Sequence, residues 1–382
     1  MIKRKVCVIT GSRAEYGLFF PILIKIQESN NLELQLISTS SHHSSQYGFT
    51  YKQIEKDGFK IVDKIKNLYS IDTKVSITKS AGLATSLLSE SFERIKPNVV
   101  LLLGDRYETH AAATAALLMN IPIAHIHGGE ITEGAVDEQI RHSITKMSYL
   151  HFCSTESYRQ RVIQMGEDPM RVFNSGAPGI DNILRLNLLD KKTLEKELNW
   201  KFTSKSALFT YHPVTLEDSD VANDLQVMFK VIQTFKFNVL FTYANADEGG
   251  SIINEMIEQF CQLNPSSYKV VKSLGQIKYL SAMKWVDFLI GNSSSGIIEA
   301  ASFKKPFVNI GIRQKGRLRS ENVIDCDLTT LRDSIKLASS DSFKNKIKNV
   351  KNIYGDGTAS SFIVDKLINE PVSVIKKFKD IH

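Results

Sequence analysis

Imidazole, carboxylate and guanidinium groups gather in a few short segments of this 382-residue chain. The densest runs from His125 through His127 and Glu130 to Asp137, Glu138, Arg141 and His142. Acid and base groups of different intrinsic pKa, so close in sequence, suit proton transfer. The glycine pair 128–129 lets the backbone approach a ligand closely. Gly104-Asp-Arg106 places a carboxylate beside a guanidinium after an apolar run, where neighbouring charge tunes ionisation. His125 and His127 alternate along an expected strand and would face opposite sides, which argues against joint metal ligation. His142 is expected to cap or pair locally.

A second group suits an anion. Gly291-Asn-Ser-Ser-Ser-Gly296 follows the apolar run 286–290 and precedes a short expected helix, 298–303. Small residues between strand and helix leave backbone N–H groups free to face a phosphate. Ser293 and Ser294 add hydroxyls, and Glu299, one turn further in, can accept from sugar hydroxyls. Arg313 and Arg317 follow another apolar run, and a guanidinium fork fits phosphate. His212 stands at an expected strand end, before Pro213. Together these point to a nucleotide diphosphate or a nucleotide sugar. GxGxxG, GxxxxGK[ST] and GxSxG are absent, so the dinucleotide fingerprint, the P-loop and the nucleophile elbow are not expected.

The elements that must position these groups alternate. Strands are expected at 5–10, 32–38, 99–103, 121–126 and 151–154, with helices at 18–28, 77–95, 111–119 and 141–148. A second series has strands at 207–210, 238–243, 268–273, 286–290 and 306–310, and helices at 221–234 and 250–263. This is an α/β, doubly wound parallel arrangement in two domains. The expected boundaries are 1–178 for an N-terminal Rossmann-like domain and 179–359 for a C-terminal one. Residues 360–382 are expected to begin as a helix, 360–379, packing back on the first domain. Ligands of open α/β sheets lie beyond the carboxyl ends of strands, where the polar clusters fall. Seven such loops in two domains point to one cleft between them.

Apolar residues make up 42% and charged residues 23%, the profile of a globular soluble protein. The net charge of +7 is mild and has no arginine-rich block, so nucleic-acid binding is not expected. No apolar run is long enough to span a membrane, and the N-terminus does not read as a signal peptide. Four scattered cysteines form no CxxC pair; a reduced, cytoplasmic setting is expected.

The ordered set Gly11-Ser-Arg-Ala-Glu-Tyr-Gly17, Gly104-Asp-Arg-Tyr-Glu108, His125-Ile-His-Gly-Gly-Glu130, Asp137 with Ile140-Arg-His-Ser-Ile-Thr-Lys146, His212-Pro-Val214, Gly291-Asn-Ser-Ser-Ser-Gly296 with Glu299, and Asn309-Ile-Gly-Ile-Arg-Gln-Lys-Gly-Arg317 resembles the hydrolysing UDP-N-acetylglucosamine 2-epimerases of sialic acid and other nonulosonic acid biosynthesis. The likeness covers nearly the whole chain. It implies GT-B architecture, two Rossmann-like domains with the active site in the cleft between them. It implies that Arg13, His212, Asn245, Ser293, Ser294, Glu299 and Arg313 contact UDP, with His42, Arg106 and Gly296 also among the substrate-binding residues. It implies acid–base roles for Asp105, Asp137 and the 125–130 loop, and it places His212 among the catalytic residues as well as among the UDP contacts. Many relatives carry a carboxylate where this chain has His127, so His127 or Glu130 takes that role.

The implied reaction is hydrolysis of UDP-N-acetylglucosamine to N-acetylmannosamine and UDP through a glycal. The same reaction on UDP-2,4-diacetamido-2,4,6-trideoxyglucose is the alternative, and a GT-B glycosyltransferase is a competing class. No metal or other cofactor is expected. A homo-oligomer, dimer or tetramer, is expected.

Overall fold

The computed structural model describes residues 3–45, 48–69, 73–132, 136–203, 205–213, 220–244 and 250–380. The chain divides into two compact units, one formed by Met1–Asn182 with Tyr354–His382 and the other by Ile183–Ile353. Each is built on one parallel sheet.

The first unit carries β1 (Arg4–Thr10), β2 (Leu32–Thr39), β3 (Ile61–Ile65), β4 (Val99–Leu103), β5 (Ile123–Ile126), β6 (Leu150–Cys153) and β7 (Val172–Asn174). Their order across the sheet is β3-β2-β1-β4-β5-β6-β7, with every neighbour parallel. The reversal of direction between β1 and β4 is the switch point at which such sheets bind ligands. β4 reads Val-Val-Leu-Leu-Leu and is buried along its whole length, as expected of a strand covered by helices on both faces. One face packs Phe19, Ile22, Leu23 and Ile26 against Val6, Val8 and Leu101. The other packs Leu88 and Phe92 with an alanine-rich helix, Tyr107–Leu118, whose small side chains are largely buried.

The C-terminal helix Ala359–Asn369 belongs to this first unit. Buried Asp181 accepts the N–H groups of Ala359 (3.1 Å) and Ser360 (2.6 Å), satisfying donors that the helix itself cannot. At the other end Arg4 donates to the carbonyls of Leu367 and Glu370, a cation placed on the negative end of the helix. The expected helix 360–379 is shorter than the sequence pattern indicated. It stops at Asn369, before Pro371, and residues 370–380 run without regular structure.

The second unit carries β8 (Ser206–Thr210), β9 (Asn238–Thr242), β10 (Tyr268–Val271), β11 (Phe288–Gly291), β12 (Phe307–Ile310) and β13 (Val323–Cys326). The order β10-β9-β8-β11-β12-β13 is again all parallel, with its switch point between β8 and β11. Aromatic rings dominate this core: Phe229 stacks on Phe260 at 4.1 Å and Phe209 lies 5.0 Å from Phe241. Two Rossmann-like domains, expected from the alternating pattern, are what the chain forms.

Candidate active site

In the first unit the polar clusters stand at the carboxyl ends of the central strands. Ser12, just past β1, caps the helix Arg13–Glu28 by accepting from the Glu15 N–H (3.3 Å). Glu15 reaches back and accepts from the Gly11 N–H (2.5 Å), a variant of the capping box that places its carboxylate in the interior. Arg13 itself is exposed. Past β4, Arg106 donates from Nε to Glu108 Oε1 at 2.6 Å, and Glu108 is buried. Glu15 therefore shares its surroundings with a second carboxylate. Burial, then the Glu108 charge, pushes its carboxyl up to about 7. The Glu108 charge in turn holds the Arg106 guanidinium more firmly protonated than usual.

Asp105 and its neighbour Arg106 each pair with another residue. Asp105 makes an ion pair with Arg141, which is 2% exposed and reaches from the helix Asp137–Met147. Arg106 stands at the N-cap of the helix Tyr107–Leu118, which carries its partner Glu108, while Asp105 takes its partner from the helix Asp137–Met147. Arg141 also donates to the Glu130 carbonyl (2.8 Å) and Thr132 Oγ1 (2.7 Å), tying the loop after β5 to the helix that follows. Asp137 opens that helix. Burial raises its carboxyl above the ordinary range, the Arg106 charge opposes this, and Glu108 adds to it. Asp137, Arg106 and Glu108 are thus electrostatically coupled.

His125 is fully buried, with Nε2 on the Gly104 carbonyl (2.8 Å) and Nδ1 facing Thr145 Oγ1 (3.3 Å). Burial pulls its imidazole down to about 3, so it is a neutral structural group. His127 is not on the strand as the alternation implied. It lies one residue beyond β5 at φ +68°, and its Nδ1 bonds Glu130 Oε1. Ser154 Oγ donates to the same oxygen at 2.7 Å. His142 bonds Glu138 within its own helix (3.0 Å), a local pair. His42 is buried between Thr10 Oγ1 (3.1 Å) and Thr50 Oγ1 (2.7 Å), and burial lowers it to about 4.

In the second unit the small-residue loop follows β11. Gly291 has φ +135°, and a Cβ there would lie 1.9 Å from the Thr210 carbonyl oxygen across the β8–β11 pairing. The helix expected at 298–303 begins earlier. It is a single turn, Ser294–Ile298, capped by Ser293 and followed by a 3-10 turn. Glu299 therefore sits at the junction and not one turn inside a helix. No hydrogen-bond partner stands on its carboxylate among the described residues, and burial raises it to about 7.

Ser295 Oγ is engaged by the Tyr279 hydroxyl at 2.5 Å and by Ser293 Oγ at 3.1 Å, and all three serines are half-buried. Gly296 packs under Phe307, where a Cβ would meet the ring at 2.5 Å; this packing alone requires glycine. His212, buried, is lowered to about 4 by burial and then by the Arg313 charge. Arg313 Nη1 donates to the Asn292 carbonyl at 3.2 Å, and Gln314 Nε2 to the same oxygen at 2.9 Å. His212, the serine loop and Arg313 are brought together by Asn292. Asn245 lies outside the described residues, as does Val214.

Sequence reasoning passed over Glu15, Glu108, Tyr279 and Asn292 as individual groups. Ser12-Arg-Ala-Glu15 carries the S-x-x-E capping signature and could have marked Glu15. Asn292 has no local signal, since its partner His212 lies 80 residues away in sequence. Among the described residues no group of His, Cys, Asp and Glu is arranged to hold a metal ion. No described helix is long and apolar enough to cross a membrane.

A family profile described as UDP-N-acetylglucosamine 2-epimerase matches residues 24–368. The chain belongs to the UDP-N-acetylglucosamine 2-epimerase family. It is 46% identical over 345 residues to the GDP/UDP-N,N'-diacetylbacillosamine 2-epimerase (hydrolyzing) of Campylobacter jejuni, covering 90% of each chain. It is 37% identical over 363 residues to the UDP-N,N'-diacetylbacillosamine 2-epimerase (hydrolyzing) of Legionella pneumophila, covering 94% of this chain and 93% of that one. The solved UDP-GlcNAc 2-epimerase of Neisseria meningitidis, bound to UDP-GlcNAc, shares the fold at a TM-score of 0.75. Its identity is 20%, covering 96% of this chain and 100% of that one. The resemblance to the hydrolysing branch of the family is borne out.

Proposed function

We propose that this protein hydrolyses a nucleotide-diphosphate sugar with inversion at C2, and that UDP-2,4-diacetamido-2,4,6-trideoxyglucose is its substrate in preference to UDP-N-acetylglucosamine. The observation that carries the substrate is the 46% identity, over nine-tenths of both chains, with a relative named for that sugar. This reverses the order of the two sugars expected from the sequence. The same relative's name includes GDP, so the base is tested alongside the sugar.

Hydrolysis through a glycal needs a base at C2, a stabilised leaving diphosphate and an acid–base pair to add water. The base takes the C2 proton, the C2–H electron pair becomes the C1–C2 double bond, and the C1–O pair departs with the nucleotide. Water then supplies hydroxyl to C1 and hydrogen to the opposite face of C2. Asp105, Asp137 and the His127–Glu130 pair are assigned to proton transfer. Coupling of Asp137 to both Arg106 and Glu108 supports an ionisation tuned by its surroundings. Arg13, His42, Arg106, His212, Asn245, Ser293, Ser294, Glu299 and Arg313 are assigned to the nucleotide sugar. A half-buried, raised carboxylate at Glu299, with no hydrogen-bond partner among the described residues, supports its assignment to sugar hydroxyls.

Purified protein is incubated without acceptor, in deuterated water, with the UDP- and GDP-linked diacetamido sugars and with UDP-N-acetylglucosamine. Fastest release of a free 2-epimerised sugar from the UDP-linked diacetamido compound, with deuterium at C2, is the expected result. A product without deuterium at C2 rules out the elimination route. An intact donor that needs an acceptor before it reacts points to a glycosyltransferase.

A further inference from the structure

Two groups of the loop after β5 can move protons, and they are not equivalent. Glu130 is 4% exposed, and its Oε1 receives both the His127 ring Nδ1 and the Ser154 hydroxyl. Its backbone is held as well, through the Arg141 guanidinium on its carbonyl. Glu130 is thus closed in by protein donors on its carboxylate and its main chain. His127 differs. Its N–H bonds the Phe152 carbonyl at 2.9 Å and its Nδ1 is committed to Glu130, yet its Nε2 is buried without a hydrogen-bond partner among the described residues. Buried polar atoms are nearly always paired, and an exception calls for a reason. The backbone adds a second observation. At φ +68° His127 occupies the left-handed region that residues other than glycine seldom adopt, a conformation that clusters at functional sites.

We infer that His127 is the proton-transfer group of this loop, acting through Nε2, and that Glu130 is its positioning residue. The inference rests on the epimerase reading above. The carboxylate oxygen accepts from Nδ1–H, so in the neutral ring Nε2 is the lone-pair nitrogen. Nε2 takes the C2 proton as the C1–O bond breaks; the imidazolium then faces the Glu130 carboxylate and returns its proton to solvent before the next turnover. Ser154 holds the carboxylate in place. The arrangement is a carboxylate-oriented imidazole, the relationship that fixes the tautomer of a catalytic histidine.

The left-handed backbone supplies a test. Glycine takes φ +68° at no steric cost, so His127→Gly keeps the loop and leaves a ring-shaped void beside Glu130. Its kcat is expected to fall by about a hundred- to ten-thousandfold, with UDP affinity by calorimetry unchanged. Added imidazole is expected to restore turnover with saturation. Glu130→Gln keeps an acceptor for Nδ1–H but removes the anion. It is expected to lose less rate than His127→Gly and to move the acidic limb of the pH profile to lower pH, because the imidazolium loses its counter-charge.

Imidazole without effect on a His127→Gly protein that still binds UDP, together with an inactive Glu130→Gln, overturns the assignment in favour of Glu130. The ring is also read directly. In the parent protein, 15N shifts of the His127 ring are expected to show Nδ1 protonated and Nε2 bare at high pH, and the opposite tautomer overturns the proposal whatever the turnover. A parent idle on all three nucleotide sugars would defeat the function proposed above and leave the tautomer measurement to judge this inference.

Discussion

His212 and Asn292 exchange two hydrogen bonds. The His212 N–H donates to Asn292 Oδ1 at 2.7 Å, and Asn292 Nδ2 donates to the His212 carbonyl at 2.8 Å. The two residues stand past the ends of β8 and β11, the strands at the switch point of the second sheet. The side-chain amide imitates one more rung of the ladder after the strands have parted. It also fixes the main chain of the serine loop against that of His212, and Arg313 and Gln314 close on the carbonyl of the same asparagine.

Asn292 is fully buried, so replacing it strands the backbone groups of His212. Asn292→Ala is expected to cost about 1–3 kcal/mol for each stranded group. Asn292→Asp turns a donor into an acceptor facing the carbonyl and is expected to cost as much. Urea unfolding measures both. A variant within about 0.5 kcal/mol of the parent, the range of ordinary surface substitutions, would show that the amide does not hold the loop.

Gly291→Ala puts a Cβ 1.9 Å from the Thr210 carbonyl oxygen in a backbone at φ +135°. Strain and overpacking of roughly 1–3 kcal/mol each should combine, so the variant is expected to unfold at distinctly lower urea or to accumulate poorly. Gly311→Ala is the control. Its φ is +73° and nothing lies within 4 Å, so only the left-handed cost of about 1–2 kcal/mol is expected. Equal losses at the two positions would refute the steric account.

Binding and proton transfer should separate between Arg313 and Asp137. Arg313→Lys keeps the charge and loses the planar fork, so UDP affinity is expected to fall by roughly ten- to a hundredfold, the equivalent of about 1.5–3 kcal/mol. Asp137→Asn is expected to leave UDP affinity nearly unchanged and cut kcat. Calorimetry beside steady-state rates reads both. If Asp137→Asn weakened UDP as severely as Arg313→Lys with the fold intact, the division of roles would be wrong.

Glu15 makes stability depend on pH. Its carboxyl is raised from 4.5 to about 7, first by burial and then by the Glu108 charge. The folded state therefore holds a proton that the unfolded state has released between those values. The stability present below about pH 4.5 is lost as pH rises to about 7, a change on the order of 2–3 kcal/mol. Glu15→Gln removes this dependence, so the variant is expected to gain on the parent between pH 4.5 and 8. Denaturant unfolding at both ends of that range tests the sign, and a constant difference between the two proteins would mean that Glu15 ionises as freely folded as unfolded.

The alternation of apolar strands with helical patterns, the turn formers at strand ends and the ordered motifs were all local, and they determined the fold class, the family and the positions of the polar loops. The strand 99–103 and the helix 250–263 need only their own residues to be read, because apolar runs and periodicity are properties of neighbours in sequence. Partnership is not such a property. Asp105 and Arg106 are adjacent, yet one pairs with Arg141 and the other with Glu108. His125 and His127 look alike in sequence, but packing buries the first as a neutral support and a left-handed turn places the second against Glu130. The end of the last helix was misjudged because residues beyond Asn369 keep some helical patterning, while Pro371 disfavours the helical backbone just before it. Composition and spacing thus set which chemical groups stand at the strand ends. Only the tertiary structure, by desolvating some and pairing others across elements far apart in the chain, decided which carboxylates are raised, which imidazoles stay neutral and which groups are left for a substrate.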